Sequence, residues 1–445
     1  MTSIFNVQHN TESYIFRIIF ACSVIVFAIT GCSALTPRTE TEEFDFSSRI
    51  KTKQDGTVEV SASVLSAKES RTIYGVSLAN REIQPVWVEI KNDGSKTYWL
   101  LFVGMDPYFF PASEAAEAFQ VDPAVSGESK LEKYFQKLAF RNPIPPGSTV
   151  SGFILTNLDE GAKMVQVDLV ASNEHKSFSF LSMVPGFRAD FYRARKKDLR
   201  RQYSSPGEVQ DYTDDETFRA ALDVLPCCVT NKKGTRNGDP LNLIIIGGDD
   251  DAFPALIRRG WRLTEQTWSG SVAKIVKSGL SGDRYPYAPI SPLYLYGRSQ
   301  DLALQKGRDN IHRRNHLRLW KSPMLYHGKQ VWVGQVSRDI GSRFTTDTPY
   351  LMTHKIAPDV DEARQGLIED LAYSQNLAKI GFVKGVGDVS KEAPRRNLTK
   401  DPYYTDGVRA VLIFDVNTRS LAEIEFLPWE VRPGGFIEQS TRKKK

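Results

Sequence analysis

Leu241-Asn-Leu-Ile-Ile-Ile-Gly-Gly-Asp-Asp-Asp251 runs directly into Ala-Phe-Pro-Ala-Leu-Ile-Arg-Arg259. An apolar run interrupted only by Asn242 predicts a strand buried on both faces. Gly247-Gly248 supplies a turn, and Asp249, Asp250 and Asp251 stand where a helix start gains from carboxylates facing its positive end. A buried strand that turns into a capped helix predicts an α/β or α+β unit.

The downstream pattern agrees. Ile311–Trp320 and Gln330–Ser337 read as two strands joined by a loop through Pro323 and Gly328. Asp359–Ala378 reads as a helix with Ala363, Leu367, Leu371 and Leu377 on one stripe and Asp359 or Asp361 as its cap. Arg409–Phe414 is another apolar strand, and Ser269–Ser278 a further helix. This α/β or α+β unit is expected over 239–430, with a polar tail over 431–445. Lys443, Lys444 and Lys445 read as a solvated end.

Upstream the character changes. Thr57–Val64, Thr72–Leu78, Val86–Ile90, Tyr98–Val103, Thr149–Leu155 and Met164–Val170 are short, β-branched or aromatic, and partly alternating. Asn92-Asp93-Gly94 marks a turn. Pro111–Phe119 is the one helical insert expected, with Ser113 as cap. Short strands at regular spacing predict an all-β sandwich over 46–186, immunoglobulin-like in plan. Residues 187–238, which contain the basic Phe191–Gln202, a short helix over Thr217–Leu225 and the polar loop Asn231–Gly238, read as a connector.

The chain starts with an address. Ile18–Ile29 is apolar except for Ser23, and Ile29-Thr30-Gly31-Cys32 follows as a lipobox. About a dozen apolar residues fall short of the roughly 20 that a spanning helix needs. They suit the h-region of a signal peptide over 1–31, with Arg17 as its positive flank. Cys32 is the expected lipidation site, carrying palmitate or similar acyl chains, and 32–45 the tether. Ser33 in place of aspartate favours the outer membrane, facing the periplasm. The alternatives are an ordinary secretory signal or an uncleaved anchor, with Cys32 incidental.

A formal charge of +5 from 58 basic and 53 acidic residues argues against a nucleic-acid partner. Beyond the leader and Cys32 remain the adjacent Cys227 and Cys228. Neighbouring cysteines are expected to stay unbonded, because an eight-membered ring strains the backbone; a buried pair beside Leu225 and Pro226 is the reading, with redox or metal roles behind it.

Candidate chemistry gathers between residues 298 and 362. His312 and His316 are four apart, which places them on one side of a helix and equally on one face of a strand. On a strand, Arg314 and Arg318 join that face, while Ile311, Leu317 and Leu319 point the other way. Near in sequence are Arg298, Asp301, Arg338, Asp339, His354, Asp359, Asp361 and Glu362. If the strands pair, Arg318 and Arg338 could converge, and guanidinium forks grip carboxylate or phosphate. His316 or His354 could serve as acid or base, with Asp301 or Asp339 as orienter. His312 and His316 are weak candidates for metal ligation. Structural ion pairing of these arginines and aspartates, and helix capping by Asp359 and Asp361, are the plainer alternatives. No Gly-x-Ser-x-Gly elbow, His-Glu-x-x-His or P-loop is present. Gly385-Val-Gly387 is a mere fragment of a dinucleotide fingerprint, so no cofactor is named.

Tyr294–Gln305 (YLYGRSQDLALQ), Arg314–Trp320 (RNHLRLW), Val331–Gly341 (VWVGQVSRDIG) and Thr353–Arg364 (THKIAPDVDEAR) together resemble the LssY-like C-terminal domain of bacterial envelope proteins. The resemblance covers roughly 240–415. It implies a folded unit in an envelope setting and supplies no catalytic residues. Some relatives carry this domain behind membrane regions that resemble lipid phosphatases. Ser337-Arg338 starts the corresponding phosphatase motif, but Phe344 stands where its histidine belongs and no Pro-Ser-Gly-His segment exists. The expectation is a membrane-anchored envelope lipoprotein with a ligand-binding or docking role, through Arg298, Arg318 and Arg338, toward an anionic small molecule or an envelope protein. The alternative is a hydrolase of a phosphorylated or acylated envelope molecule.

Overall fold

The computed structural model describes residues 45–119, 130–186, 209–265, 287–307, 314–344 and 352–429. The leader, Cys32, the basic Phe191–Gln202, Ser269–Ser278, His312 and the lysine tail lie outside them.

The N-terminal unit is a two-sheet sandwich. One sheet has the order β1 (Lys51–Asp55), β2 (Val58–Val64), β3 (Ile83–Asn92), β5 (Ser148–Asn157). The other has the order β4 (Trp99–Leu100), β6 (Ala162–Ala171), β7 (Glu174–Met183). Alternation drives the packing: Val58, Val60, Ala62 and Val64 of β2 and Val86, Val88 and Ile90 of β3 share one core with Val165, Val167 and Leu169 of β6 and Phe178 and Phe180 of β7. Full burial of each such side chain contributes about 1.5–3 kcal/mol.

Three expectations for this unit change. Thr72–Leu78 is not a strand. Helix α1 (Ala67–Tyr74) takes its first three residues, started by a reciprocal Ser66–Glu69 capping box and stopped at Gly75 with φ 72°. Its local capping outweighs the β propensity of Thr72 and Ile73, and Ile73 and Tyr74 are buried. Tyr98–Val103 holds strand at Trp99–Leu100 alone and then a single helical turn, α2 (Phe102–Met105). Pro111–Phe119 does contain a helix, α3 (Ala112–Glu117), but Pro111 precedes it, Ser113 lies within it, and no side chain caps it. It is also not alone: α4 (Lys130–Leu138) packs against it. With α1 they bury a satellite core around Phe135 and Phe153.

The C-terminal unit is a mixed sheet in the order β12 (Arg262–Leu263), β15 (Leu302–Gly307), β16 (Arg314–Tyr326), β17 (Lys329–Phe344), β11 (Leu243–Ile246), β22 (Arg409–Phe414), β19 (Leu377–Val383), β23 (Glu425–Phe426). Central β11 runs antiparallel to β17 and parallel to β22, and all four of its residues are buried. Asn242 breaks the apolar run for a reason. Its side chain accepts from Val336 N at 3.0 Å and donates to Val336 O at 3.1 Å, continuing the ladder where β11 has not yet begun. Asp251 caps α6 (Ala252–Arg258), accepting from Ala252 N and Gly248 N.

β16 and β17 form one hairpin, turned at His327-Gly328, both with positive φ. Pro323 is not in that turn. It sits inside β16, where the register shifts between Lys321 and Leu325. Helix α7 (Asp361–Ala372) buries Ala363, Leu367 and Leu371, and Asp359 accepts from Asp361 N and Glu362 N at its start. It ends earlier than its apolar stripe suggests: Gln375 has φ 65°, and Leu377 belongs to β19.

The described part of 187–238 folds with this sheet. β8 (Gln210–Tyr212) pairs parallel with the end of β16, and α5 (Asp215–Asp223) buries Phe218 and Leu222 beneath it. β9 (Cys228–Thr230) pairs with β10 (Asn237–Pro240) around the Asn231–Gly234 turn and with β13 (Tyr294–Leu295), and β20 (Arg395–Arg396) pairs with β21 (Pro402–Tyr403). The sulfurs of Cys227 and Cys228 are bonded to each other, contrary to expectation. Cys227 O also accepts from Leu241 N, and buried Arg409 donates to the carbonyls of Leu222, Leu225, Pro226, Leu241 and Gly385, fixing the turn that carries the pair. The two units share a core through α6, whose Phe253 and Ile257 lie in one cluster with Ala162 and Met164 of β6.

Candidate functional site

Alternation along β16 separates two chemistries. Leu317 and Leu319 face the core shared with α6, together with Val336 and Trp332 of β17. The other face starts apolar at Trp320 and Val333. Toward the start of β16 it turns polar: Arg318 lies opposite Gln335, and His316 opposite Ser337. Gln305 of β15 pairs with His316 from the other side. All of these are buried.

Strand pairing brings Asp339 to this face. Its Oδ2 is 3.5 Å from His316 Nε2, and the two side chains are 2% and 6% exposed. Arg314 donates to Gln305 Oε1 at 2.8 Å, and Arg318 to Gln335 Oε1 at 3.0 Å and Ser291 O at 3.2 Å. Two further carboxylates come from far away in sequence. Asp239, at the end of β10, accepts from Asn397 Nδ2 at 2.9 Å, and Asp401 closes the turn in which Asn397 Oδ1 accepts from Asp401 N. Burial pushes the Asp339 carboxyl up to about 7; Arg314 and Arg318 oppose this, while Asp239 and Asp401 reinforce it. Asp239 is likewise raised by burial, and burial lowers Arg314. Perturbed carboxyls beside a histidine and two guanidiniums are the mark of a functional-site candidate.

The other expected members go elsewhere. Arg298 pairs with Asp301 at 2.5 Å and donates to Lys321 O, while Asp301 accepts from Lys321 N at 2.7 Å. That buried pair ties the β14 turn (Arg298–Ser299) to β16. Burial also raises the Asp301 carboxyl. Arg338 lies opposite Asn315, so it points to the reverse face from Arg318 and pairs with Glu362 at 2.6 Å. Arg318 and Arg338 therefore do not converge, because their positions in the register have opposite parity. His354 stands on β18 (Met352–Ile356) opposite Ser342, and its side chain lies outside the described residues. Asp361 accepts from Thr405 Oγ1 and Asp406 N and serves a buried Arg364–Asp406 pair. Among the described residues no three His, Cys, Asp or Glu are placed to hold a metal ion.

Sequence reading put Arg314 on the right face but gave it no role. It took Asp239 for a domain start and passed over Asn397 and Asp401. Nothing in the local pattern around Asp239 or Asp401 signals their meeting, since it depends on the crossover that lays 397–401 beside β10.

A separate cavity of about 410 Å³ lies between the two units. Its walls include Phe180 and Leu181 of β7, Phe253 and Ile257 of α6, and Leu302 and Leu304 of β15. Among the described residues no helix is long and apolar enough to cross a membrane.

No curated protein matches the chain. Residues 219–408 match the family described as LssY C-terminus, and the match takes in β15, β16 and β17, which carry the His316–Asp339 cluster.

Proposed function

We propose that this chain is an envelope lipoprotein, anchored through Cys32, whose LssY-like domain binds a ligand bearing an anionic group. The observation that carries this reading is the pair of buried guanidiniums, Arg314 and Arg318, on one face with His316. Both donate to neutral amide oxygens of Gln305 and Gln335. Guanidinium forks grip carboxylate or phosphate, and Arg314 and Arg318 already act on the Asp339 carboxyl, so a bound anion would share them with it. The anion site thus narrows from Arg298, Arg318 and Arg338 to Arg314 and Arg318. Calorimetric titration with inorganic phosphate and glycerol phosphate tests it. Arg318→Gln should weaken binding about tenfold or more, the loss of one charge-assisted hydrogen bond. Absence of binding by the unaltered protein, or binding by Arg314→Gln and Arg318→Gln as tight as by the unaltered protein, overturns it. The anchor is tested by Cys32→Ser, which should release the chain from the membrane fraction.

One observation favours the hydrolase reading: His316 stands beside Asp339 rather than Asp301. A histidine oriented by a buried carboxylate is suited to acid–base work, with Arg314 or Arg318 stabilising developing negative charge. Phosphate-ester turnover that vanishes in His316→Ala while phosphate affinity persists would establish it.

A further inference from the structure

Trp99-Leu-Leu-Phe-Val-Gly-Met-Asp-Pro-Tyr-Phe-Phe-Pro111 carries one charged residue, Asp106, and the fold turns that residue inward. Asp106 accepts from Tyr108 N at 2.9 Å, from Asn157 N at 2.6 Å and from Asn157 Nδ2. Asn142 brackets Leu100, accepting from its N–H at 2.8 Å and donating to its carbonyl at 2.9 Å. Leu101 N donates to Asp168 O, and Phe110 N to Leu155 O. With the backbone held at these points, Leu100 and Met105 enter the sandwich core while their neighbours face water. Trp99 is 53% exposed, Leu101 41%, Val103 60% and Tyr108 80%. Among the described residues twelve large hydrophobic side chains are exposed, and these four fall within a single ten-residue stretch. Phe102 and Phe109, their rings 5.5 Å apart, bring Tyr108 back beside the Leu101–Val103 turn. Charge flanks the group at Asp168, which lies against Gly104 and accepts from Gln166 and Ser177. A cluster of exposed apolar side chains marks a contact with a membrane or with another protein.

The chain enters the fold on this flank. Phe46 packs its ring 6.2 Å from that of Phe153, and Phe110 is bonded to Leu155, two residues further along β5. Two residues of a strand measure about 7 Å. Asp45 is thirteen residues beyond Cys32, a stretch that can span at most about 45 Å. We propose that the Trp99–Tyr108 face rests in the interfacial layer of the membrane that holds the Cys32 anchor; this depends on the lipoprotein reading and adds a second point of contact to it. A lipid surface is the occupant that the tether keeps within reach of this flank. Tryptophan and tyrosine, each with an apolar body and a polar tip, suit the boundary between headgroups and hydrocarbon. The acyl chains and this face together would set which side of the sandwich lies against the bilayer.

The test uses the full-length chain reconstituted in vesicles of phosphatidylethanolamine and phosphatidylglycerol, with and without bromine on the acyl chains. Brominated lipid should quench the tryptophan emission of the unaltered protein, and Trp99→Phe should lose most of that quenching. Tyr108→Trp, introduced into the Trp99→Phe chain, should restore it. Both changes exchange one exposed aromatic ring for another, so neither threatens the fold. Equal quenching of the unaltered and Trp99→Phe chains, or no restoration by Tyr108→Trp, overturns the proposal. Sedimentation of Cys32→Ser with the same vesicles separates the face from the anchor. If Cys32→Ser is released while Trp99 of the anchored chain stays unquenched, the anchor stands and the face is overturned. If Cys32→Ser sediments with Trp99 quenched, the face stands and the anchor falls. A dimer that dissociates in Trp99→Ser, with Trp99 untouched by lipid, would assign the face to a second copy of the chain and overturn the membrane contact.

Discussion

The two faces of the β16–β17 hairpin are built from the same strands and behave as different materials. One carries Leu317, Leu319, Val336 and Trp332 into a dry core shared with α6 and the sandwich. The other carries Arg314, His316, Arg318 and Asp339 under cover supplied by distant loops. On the first face stability comes from area removed from water and from close packing. Gly334 belongs there: a side chain on it would press against Leu319 and Leu243. On the second face, burial by itself is unfavourable, and each buried polar group depends on a partner placed by another element. Substitutions on the two faces should therefore act differently. Apolar losses are graded by the size of the cavity they leave, whereas polar losses strand several partners at once.

The largest effect should come from the polar side of the sheet. Arg409→Leu leaves five carbonyls without their guanidinium donor. It should cost about 4 kcal/mol or more, since each stranded buried acceptor costs roughly 1–3 kcal/mol. Denaturant unfolding measures it, and a loss below that of an apolar truncation would break the contrast between the faces. Leu319→Ala, fully buried on the apolar face, should cost about 3 kcal/mol, within the range for leucine truncation in a core.

A third test uses pH. The Asp339 carboxyl is raised to about 7 in the fold, from a usual value of 3.8. Between these values the folded chain binds more protons than the unfolded one, so this group makes stability fall as pH rises from about 4 to about 7. Its contribution to the slope approaches about 1.4 kcal/mol per pH unit. Asp239, raised in the same direction, adds to it. Asp339→Asn should flatten the profile over that window without removing it, and an unchanged profile would detach Asp339 from the buried network. The smallest effect is expected at the surface: Lys53→Ala should change stability by less than about 1 kcal/mol, the range for an exposed ion pair. A larger loss would mean that Lys53–Asp250 does more than bridge the cleft mouth.

Much of the site was legible within single strands. The His316–Arg318 face and the opposing Leu317–Leu319 face follow from a period of two. The capped start of α6 follows from Asp249–Asp251 before an apolar run, and the helix at 361–372 from its buried stripe. Legibility stopped where strands meet. Whether Arg338 joins Arg318 depends on the register of β17 against β16, and a shift by one residue would have reversed the answer. Thr72–Leu78 misled because β-branched residues there are overruled by the capping box that precedes them.

Periodicities, caps and turns, and with them the two classes of unit, are written in the sequence, because these arise from contacts between residues a few positions apart. Which charges share a site follows from the packing of whole elements. Asp339 reaches His316 through strand register, Asp239 and Asp401 come to act on Asp339 through a long crossover, and the cleft lies where the sandwich meets α6 and β15. Such meetings arise from packing between whole elements, and that packing leaves no mark on the local pattern of any one of them.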